Sequence, residues 1–212
     1  GVFMGYVSRH DHALLDFRLS LPREWARDEA RRQACHVPED VLYRTRHEQC
    51  LEMLDLWGDR VPHGWVTGDD ELGRHTWFRG ELRARGERYV LGVPCTTTMR
   101  DLEASLPAYQ GRGRRPKAPW QSVTEWRTSL PPTTWRRFTV RDGEKGPVGI
   151  EMVKCRVQTR REHKRTGPEE WLVVTRRPLA DDSLLEGKSS SDATDQDACY
   201  RYRYYLTPTD GA

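Results

Sequence analysis

The first 35 residues combine two short apolar runs with a charged segment. Residues 2–7 and 13–21 (ALLDFRLSL) are β-prone, and the polar stretch His10-Asp11-His12 separates them. Short apolar runs joined by a polar turn predict an antiparallel hairpin. Pro22 then begins a charged segment to Ala34, which we interpret as a short helical piece because proline is tolerated in a first helical turn.

A longer helix is predicted after residue 44. Thr45-Arg46-His47-Glu48 has the spacing of a capping box, in which the first and fourth side chains satisfy backbone N–H groups at the start of a helix. Apolar residues then recur at helical spacing, and Gly58 is a plausible stop. These apolar positions are Cys50, Leu51, Met53, Leu54 and Trp57.

Strands and helices alternate from residue 61 to residue 95. Val61 to Thr67 is predicted as a short buried strand, His75 to Arg85 as a helix ended by Gly86, and Arg88 to Cys95 as another buried strand. Such alternation favours an α/β layer with parallel pairing at its centre, placed after the antiparallel hairpin.

The pattern changes after residue 95 and predicts a β-rich inserted unit. Residues 111–117 (GRGRRPK) are a basic loop, and Ser122 to Glu125 form a second possible capping box before Pro131-Pro132. Two alternating runs follow, at 150–159 and 170–176. Residues 181–198 are acidic, serine-rich and poor in apolar residues, so a poorly ordered loop is expected there.

These segments predict three parts of the chain. Residues 1–95 would form a first α/β part, residues 96–199 an inserted basic subdomain, and residues 200–212 a strand that returns toward the first part. The chain opens and closes on strand-like apolar runs, so we expect it to be an excerpt of a longer protein.

Composition excludes several classes of protein. The 212 residues are 36% hydrophobic and 32% charged, enough for one ordinary core. No apolar run approaches the ~20 residues that span a bilayer, and no signal peptide is visible, so a cytoplasmic location is expected. Five widely spaced cysteines without a CxxC pair argue against both a zinc ribbon and a disulfide framework.

Positive charge is concentrated in one segment. Residues 111–177 hold 17 Lys and Arg against 7 Asp and Glu, whereas the whole chain has a net charge of only +3. Lys and Arg brought to DNA phosphates release counterions, so we interpret the segment as a surface that contacts the DNA backbone. A solvated arginine-rich surface remains the alternative. The candidates are Arg112, Arg114, Arg115, Lys117, Arg136, Arg137, Arg160, Arg161, Lys164 and Arg165. Trp120, Trp126, Trp135 and Trp171 are expected in the core of the insertion instead.

Three consecutive acids follow the predicted strand ending at Thr67. In WVTGDDELGR, Asp69 would lie at the carboxyl end of that strand, where ligands bind in open α/β sheets. Mg²⁺ takes carboxylate oxygens, and a bound cation would offset the repulsion between the acids. The alternative is a polar turn in which Asp70 or Glu71 caps the next helix.

Taken together, five segments resemble transposases of bacterial insertion sequences. They are VFMGYVSRHDHALLDFRLSLPREW, VPEDVLYRT, WVTGDDELGR, RYVLGVPC and TTWRRFTVRDGEKGP. Their order and spacing are similar to those of the DDE superfamily endonucleases, in particular the group named for insertion sequence seven-oh-one.

The resemblance implies a fold, a chemistry and partners. The fold would be a ribonuclease-H-like mixed sheet flanked by helices, with a β-rich insertion. Two aspartates and one glutamate would hold two Mg²⁺ (or Mn²⁺) ions, and Asp69 matches the second aspartate. The other two acids would lie before Gly1 and after Ala212, so the isolated chain should be inactive. Duplex DNA at transposon ends and target sites would be the substrate, and the active complex would be a homo-oligomer.

Two other functions stay open at this stage. The chain could be a non-catalytic DNA-binding relic of a transposase, or part of a host nuclease with the same fold. An acid upstream and an acid downstream in the full gene would favour the enzyme, whereas a stop or frameshift there would favour the relic.

Overall fold

A computed structural model describes residues 1–143, 146–160, 166–178 and 200–209. The chain divides into two compact units, Gly1–Gly64 and Trp65–Ala212. The boundary predicted at residue 95 stays a prediction.

The first unit contains a two-stranded antiparallel sheet and three helices. Its elements are β1 (Val2–Val7), β2 (His12–Arg18), α1 (Arg23–Arg27), α2 (Glu29–Ala34) and α3 (Arg46–Trp57). The predicted hairpin is therefore confirmed. The charged segment after Pro22 forms two short helices, because Asp28 ends the first and caps the second by accepting the Arg31 N–H.

Helix α3 begins at the predicted capping box. The Thr45 side chain accepts the Glu48 N–H at 3.2 Å, and the Glu48 carboxylate accepts the Thr45 N–H at 2.7 Å. That backbone hydrogen bond, with a second from the Thr45 hydroxyl, lowers the pKa of Glu48. Leu51, Met53 and Leu54 are buried. Local sequence thus determines where the helix starts, whereas its buried residues also include the polar His47 and Gln49.

The second unit is built on one eight-stranded mixed sheet. The strand order is β3-β4-β10-β9-β8-β5-β6, and β7 also pairs with β8. The pair β3 and β4 is parallel, and the other pairs are antiparallel. The strands are β3 (Val66–Gly68), β4 (Tyr89–Gly92), β5 (Thr98–Asp101), β6 (Gln121–Ser122), β7 (Arg136–Gly143), β8 (Gly146–Arg160), β9 (Thr166–Pro178) and β10 (Tyr200–Pro208).

Among the described residues of this unit, three α-helices and one short 3₁₀ helix accompany the sheet. They are α4 (Asp70–Gly73), α5 (Thr76–Ala84), α6 (Val123–Thr128) and the 3₁₀ helix Pro132–Thr134. The predicted stop at Gly86 has a positive φ of 75°, a conformation that glycine adopts without strain. Ser122 and Glu125 form the second predicted capping box at the start of α6. The expected α/β class with a mixed sheet and helices is confirmed.

Alternation along the long strands separates two faces of the sheet. Val153, Cys155 and Val157 of β8 are buried with Leu172 and Val174 of β9 in one cluster that α6 completes. We call this side the helix face, because α4, α5 and α6 all pack on it, and we call the opposite side the outer face. Since successive side chains of a strand alternate, residues next to these in sequence lie on the outer face.

Trp126 and Trp135 belong to a core as expected, since Trp126 is buried in the cluster and Trp135 packs against it, but that cluster also includes Val93 and Leu206 from outside residues 96–199. Trp120 and Trp171 depart from it. Both are half-buried and lie outside that cluster. Trp171 alternates with Leu172, so it points to the outer face.

Candidate functional site

The acidic turn begins where β3 ends. Asp69 directly follows Gly68 and is exposed. Its Oδ1 accepts the Leu72 N–H at 3.2 Å, so Asp69 is the N-cap of the four-residue helix α4. The alternative interpretation, in which Asp70 or Glu71 caps, therefore named the wrong residue. Asp70 lies in the first turn instead, with a carboxylate oxygen 3.8 Å from Arg74.

The glycines on either side of the acids allow α4 to lie directly on the sheet. A Cβ on Gly68 would come within 2.9 Å of a Leu72 methyl, and a Cβ on Gly73 would overlap the carbonyl oxygen of Gly92. Gly92 is also tightly packed, since its own Cβ would lie 3.0 Å from the Asp70 nitrogen. The acids are thus held on a helix in close backbone contact with β4.

Gly73→Ala is expected to destabilise the protein by about 1–3 kcal/mol, the usual cost of overpacking, because the new methyl meets backbone that cannot rotate away. Gly80→Ala is a matched control, since nothing lies within 4 Å of a Cβ there. In α5 that change should be neutral or stabilising by up to about 1 kcal/mol. Chemical denaturation of both variants measures the difference, and equal effects would contradict the packing argument.

A buried charged network lies on the helix face beside α4. Arg79 and Glu170 are 1% and 0% exposed, and the Arg79 Nε donates to Glu170 Oε1 at 2.8 Å. Arg79 Nη2 donates to Glu170 Oε2 at 3.1 Å and to the Thr159 hydroxyl at 2.8 Å. The Tyr89 hydroxyl donates to Glu170 Oε1 at 2.6 Å. These contacts join α5 to three strands: β4, β8 and β9.

The same network reaches the acidic turn. Arg79 Nη1 donates to the carbonyl oxygen of Gly73, the last residue of α4. Burial and the negative charge of Glu170 raise the pKa of Tyr89 above its ordinary range, so its hydroxyl stays protonated as a donor. The helix that Asp69 caps is therefore anchored at its other end through a fully buried ion pair.

Sequence reasoning missed this network, although a weak signal was present. Arg79 lies three residues before Leu82, on the apolar side of its helix, and Glu170 alternates with Leu172 and Val174 on the inward side of its strand. From the sequence alone, Glu170 is interpreted as a charged lead-in to the strand. A charged residue at a buried strand position needs a partner, and that position is the signal.

Only part of a metal site is found in the described residues. Within residues 1–143, 146–160, 166–178 and 200–209, no group of three or more His, Cys, Asp or Glu side chains could hold a metal ion. The Asp16 carboxylate is already paired with Arg18 at 3.0 Å and accepts the Trp57 side-chain N–H at 3.2 Å. Asp69 is suited to act as one ligand of a metal ion, because its carboxylate is exposed and is oriented by one backbone hydrogen bond.

The predicted DNA-contact residues occupy three places. Arg112, Arg114, Arg115 and Lys117 are exposed in the loop between β5 and β6, Arg136 and Arg137 are exposed on β7, and Arg160 is exposed at the end of β8. Arg161, Lys164 and Arg165 lie outside the described residues. The loop arginines and the strand arginines therefore belong to different parts of the second unit.

Comparison with protein families supplies the deciding observation. A model described as DDE superfamily endonuclease matches residues 1–147, which is 147 of the 212 residues. The chain belongs to the DDE superfamily of endonucleases. Comparison of this DDE endonuclease chain with curated proteins gives no significant match.

Family membership connects the fold to a chemistry. The mixed sheet with helices packed on it agrees with the ribonuclease-H-like fold of DDE endonucleases. Enzymes of this superfamily act on DNA and generally use divalent metal ions. Among the described residues of this DDE endonuclease, no helix is long and apolar enough to cross a membrane.

Proposed function

We propose that this DDE endonuclease chain is part of a transposase that cleaves the DNA ends of an insertion sequence and transfers them to a target. The position of Asp69 carries the proposal. It is an exposed carboxylate at the carboxyl end of β3, next to the parallel strand β4, which is where an open α/β sheet binds its ligands. Five segments that resemble the seven-oh-one group of insertion-sequence transposases support it.

Asp69 is proposed as the metal ligand contributed by this chain. Its Oδ1 is held by the Leu72 N–H, and α4 is held on β4 by glycine contacts and at its end by Arg79. Two Mg²⁺ or Mn²⁺ ions, when bound, stabilise the attacking and leaving oxygens of phosphodiester cleavage. By resemblance, the remaining aspartate and glutamate come from parts of the full polypeptide outside residues 1–212, and residues 1–212 alone are inactive.

The basic residues are proposed to bind DNA rather than to react with it. The exposed Arg112, Arg114, Arg115 and Lys117 present charge from a loop, and Arg136, Arg137 and Arg160 present it from strands. Such groups fix the position of a duplex through its phosphates and carry no sequence information. A homo-oligomeric active complex, and a catalytic part at 1–95 with an insertion at 96–199, belong to the same proposal.

Metal dependence tests the proposal on the full-length gene product. Incubation with linear DNA that carries the insertion-sequence ends should give cuts at those ends in Mg²⁺ or Mn²⁺, and none in excess EDTA. Binding of the same DNA in EDTA shows that the protein is folded and has bound its DNA substrate even when it cannot cut. A full-length protein that has both additional acids and binds the ends, yet never cuts them, would contradict the proposal and favour the non-catalytic relic.

A further inference from the structure

The outer face of the eight-stranded sheet is rich in cations. The strand registers place side chains from β7, β8, β9 and β10 on this one surface, because directly paired residues share a face. Arg136 pairs with Met152, Met152 with Thr175, and Thr175 with Arg203. Six exposed cationic residues lie here: Arg136, Lys154, Arg156, Arg177, Arg201 and Arg203.

Acidic residues are scarce on the same surface. Among the residues of β7 to β10 whose side chains the structure describes, Glu169 is the carboxylate with outer-face parity, and it lies 3.7 Å from Arg156. The acids Glu151 and Glu170 belong to the helix face, where each has an arginine partner. The sheet thus separates charge: Glu151 and Glu170 are paired with arginines on the helix face, and cations clearly outnumber the one carboxylate, Glu169, on the outer face.

Two tryptophan rings near this surface already have cations over them. Lys154 Nζ lies 4.6 Å from the centre of the Trp171 ring, and the guanidinium groups of Arg100 and Arg160 lie 4.3 Å and 5.2 Å from the centre of the Trp120 ring. A base would have to displace these cations in order to stack. At these two rings the geometry therefore favours contact with phosphates over stacking on unpaired bases.

We propose that the outer face of this sheet binds the sugar–phosphate backbone of duplex DNA. The inference rests on the proposed function, from which it takes DNA as the ligand. It adds a DNA-binding surface that is separate from the basic loop at residues 111–117. Strands about 4.8 Å apart hold these cationic residues at regular spacing on a rigid sheet. Such an arrangement suits a repeating polyanion. A duplex carries a phosphate charge every ~1.7 Å of its axis, twice the density of one strand, so the duplex should bind more tightly.

Charge neutralisation on this face tests the inference. The variant is Lys154→Gln, Arg156→Gln and Arg203→Gln together, and the matched control is Arg9→Gln, Arg23→Gln and Arg27→Gln, three exposed residues of the first unit. Binding of a random-sequence duplex is measured by fluorescence anisotropy in EDTA over a series of salt concentrations. Three lost phosphate contacts should reduce the salt slope by about 2.7 and weaken binding roughly tenfold or more near 0.1 M salt.

A charge-conserving variant separates lost phosphate contacts from a damaged fold. The variant Lys154→Arg, Arg156→Lys and Arg203→Lys keeps the charge and should keep the slope, whereas a merely structural defect would not be rescued. An unchanged slope in the Gln variant, an equal loss in the control, or tighter binding of single-stranded DNA of the same length would overturn the inference.

A last comparison locates the surface within the unit. The variant Arg112→Gln, Arg114→Gln and Arg115→Gln removes loop charge only, and its loss should add to that of the outer face. If the loop variant alone removed the whole salt dependence, the outer face would be excluded.

The inference and the proposed function fail separately. All binding measurements contain EDTA, so they do not depend on cleavage. A protein that cleaves normally when the outer face is neutralised, and binds with an unchanged slope, contradicts the inference alone. A protein that loses binding in the Gln variant but never cleaves contradicts the transposase proposal and leaves the DNA surface in place.

Discussion

Asp69→Asn should abolish strand cleavage by the full-length protein while DNA binding in EDTA stays close to that of the wild type. Asparagine keeps the size of the side chain, and it caps helices as well as aspartate does, so the hydrogen bond to the Leu72 N–H is retained. The change removes the negative charge that a divalent cation needs. Metal ions contribute several kcal/mol to such reactions, and each ~1.4 kcal/mol is tenfold in rate, so a loss of about a thousandfold or more is expected.

Asp70→Asn provides the matched control. Asp70 is the next residue, is exposed, and has a carboxylate oxygen 3.8 Å from Arg74. Cleavage rates and binding constants of the two variants are compared on the same end DNA with Mg²⁺. If Asp69→Asn cleaves at the wild-type rate, or if Asp70→Asn loses as much activity, the assignment of the metal ligand to Asp69 is wrong.

Local features of the fold could be predicted from the sequence because their causes are local. The capping box of Thr45 and Glu48 involves residues three apart, and the stop at Gly86 depends on one residue that can adopt a positive φ. The hairpin of β1 and β2 and the alternating strands β8 and β9 follow from period-two patterns. In each case the residues that decide the structure are neighbours in the chain.

Features that depend on distant pairing could not be predicted in the same way. Arg79 and Glu170 are 91 residues apart, and no spacing rule connects them. Trp171 illustrates a second reason, since a tryptophan in an apolar run suggests a core position until the face of its neighbours Leu172 and Val174 is known. The separation of charge between the two faces of the sheet likewise emerges only from the strand registers.

For Asp69, the sequence predicted its position at the end of a strand but not the contacts that fix it there. The position after β3 follows from the pattern of the strand, and the resemblance gave the residue its proposed role. The close contact of Gly73 with Gly92, and the anchoring of the Gly73 carbonyl by Arg79, depend on how α4 and α5 lie on the sheet. Precision at the proposed site therefore comes from the second unit as a whole.

Arg79→Met should be among the most destabilising single changes in the protein. It leaves the Glu170 carboxylate buried at 0% exposure without its ion-pair partner, and it removes the donor to Gly73. Breaking a buried ion pair on one side costs about 3–5 kcal/mol. In a chain of this size each kcal/mol lowers the melting temperature by about 2–4 °C, so a decrease of roughly 6–20 °C is expected in calorimetry.

Two further variants show whether this loss belongs to the ion pair. Arg85→Met changes an arginine at the end of the same helix, whose ion pair with Glu81 is partly exposed (28% and 48%), and should cost no more than about 1 kcal/mol. The double variant Arg79→Met and Glu170→Leu should be more stable than Arg79→Met alone, since replacing both partners removes the unpaired buried charge. An Arg79→Met protein as stable as Arg85→Met, or a double variant that recovers nothing, would show that the network does not hold α5 to the sheet.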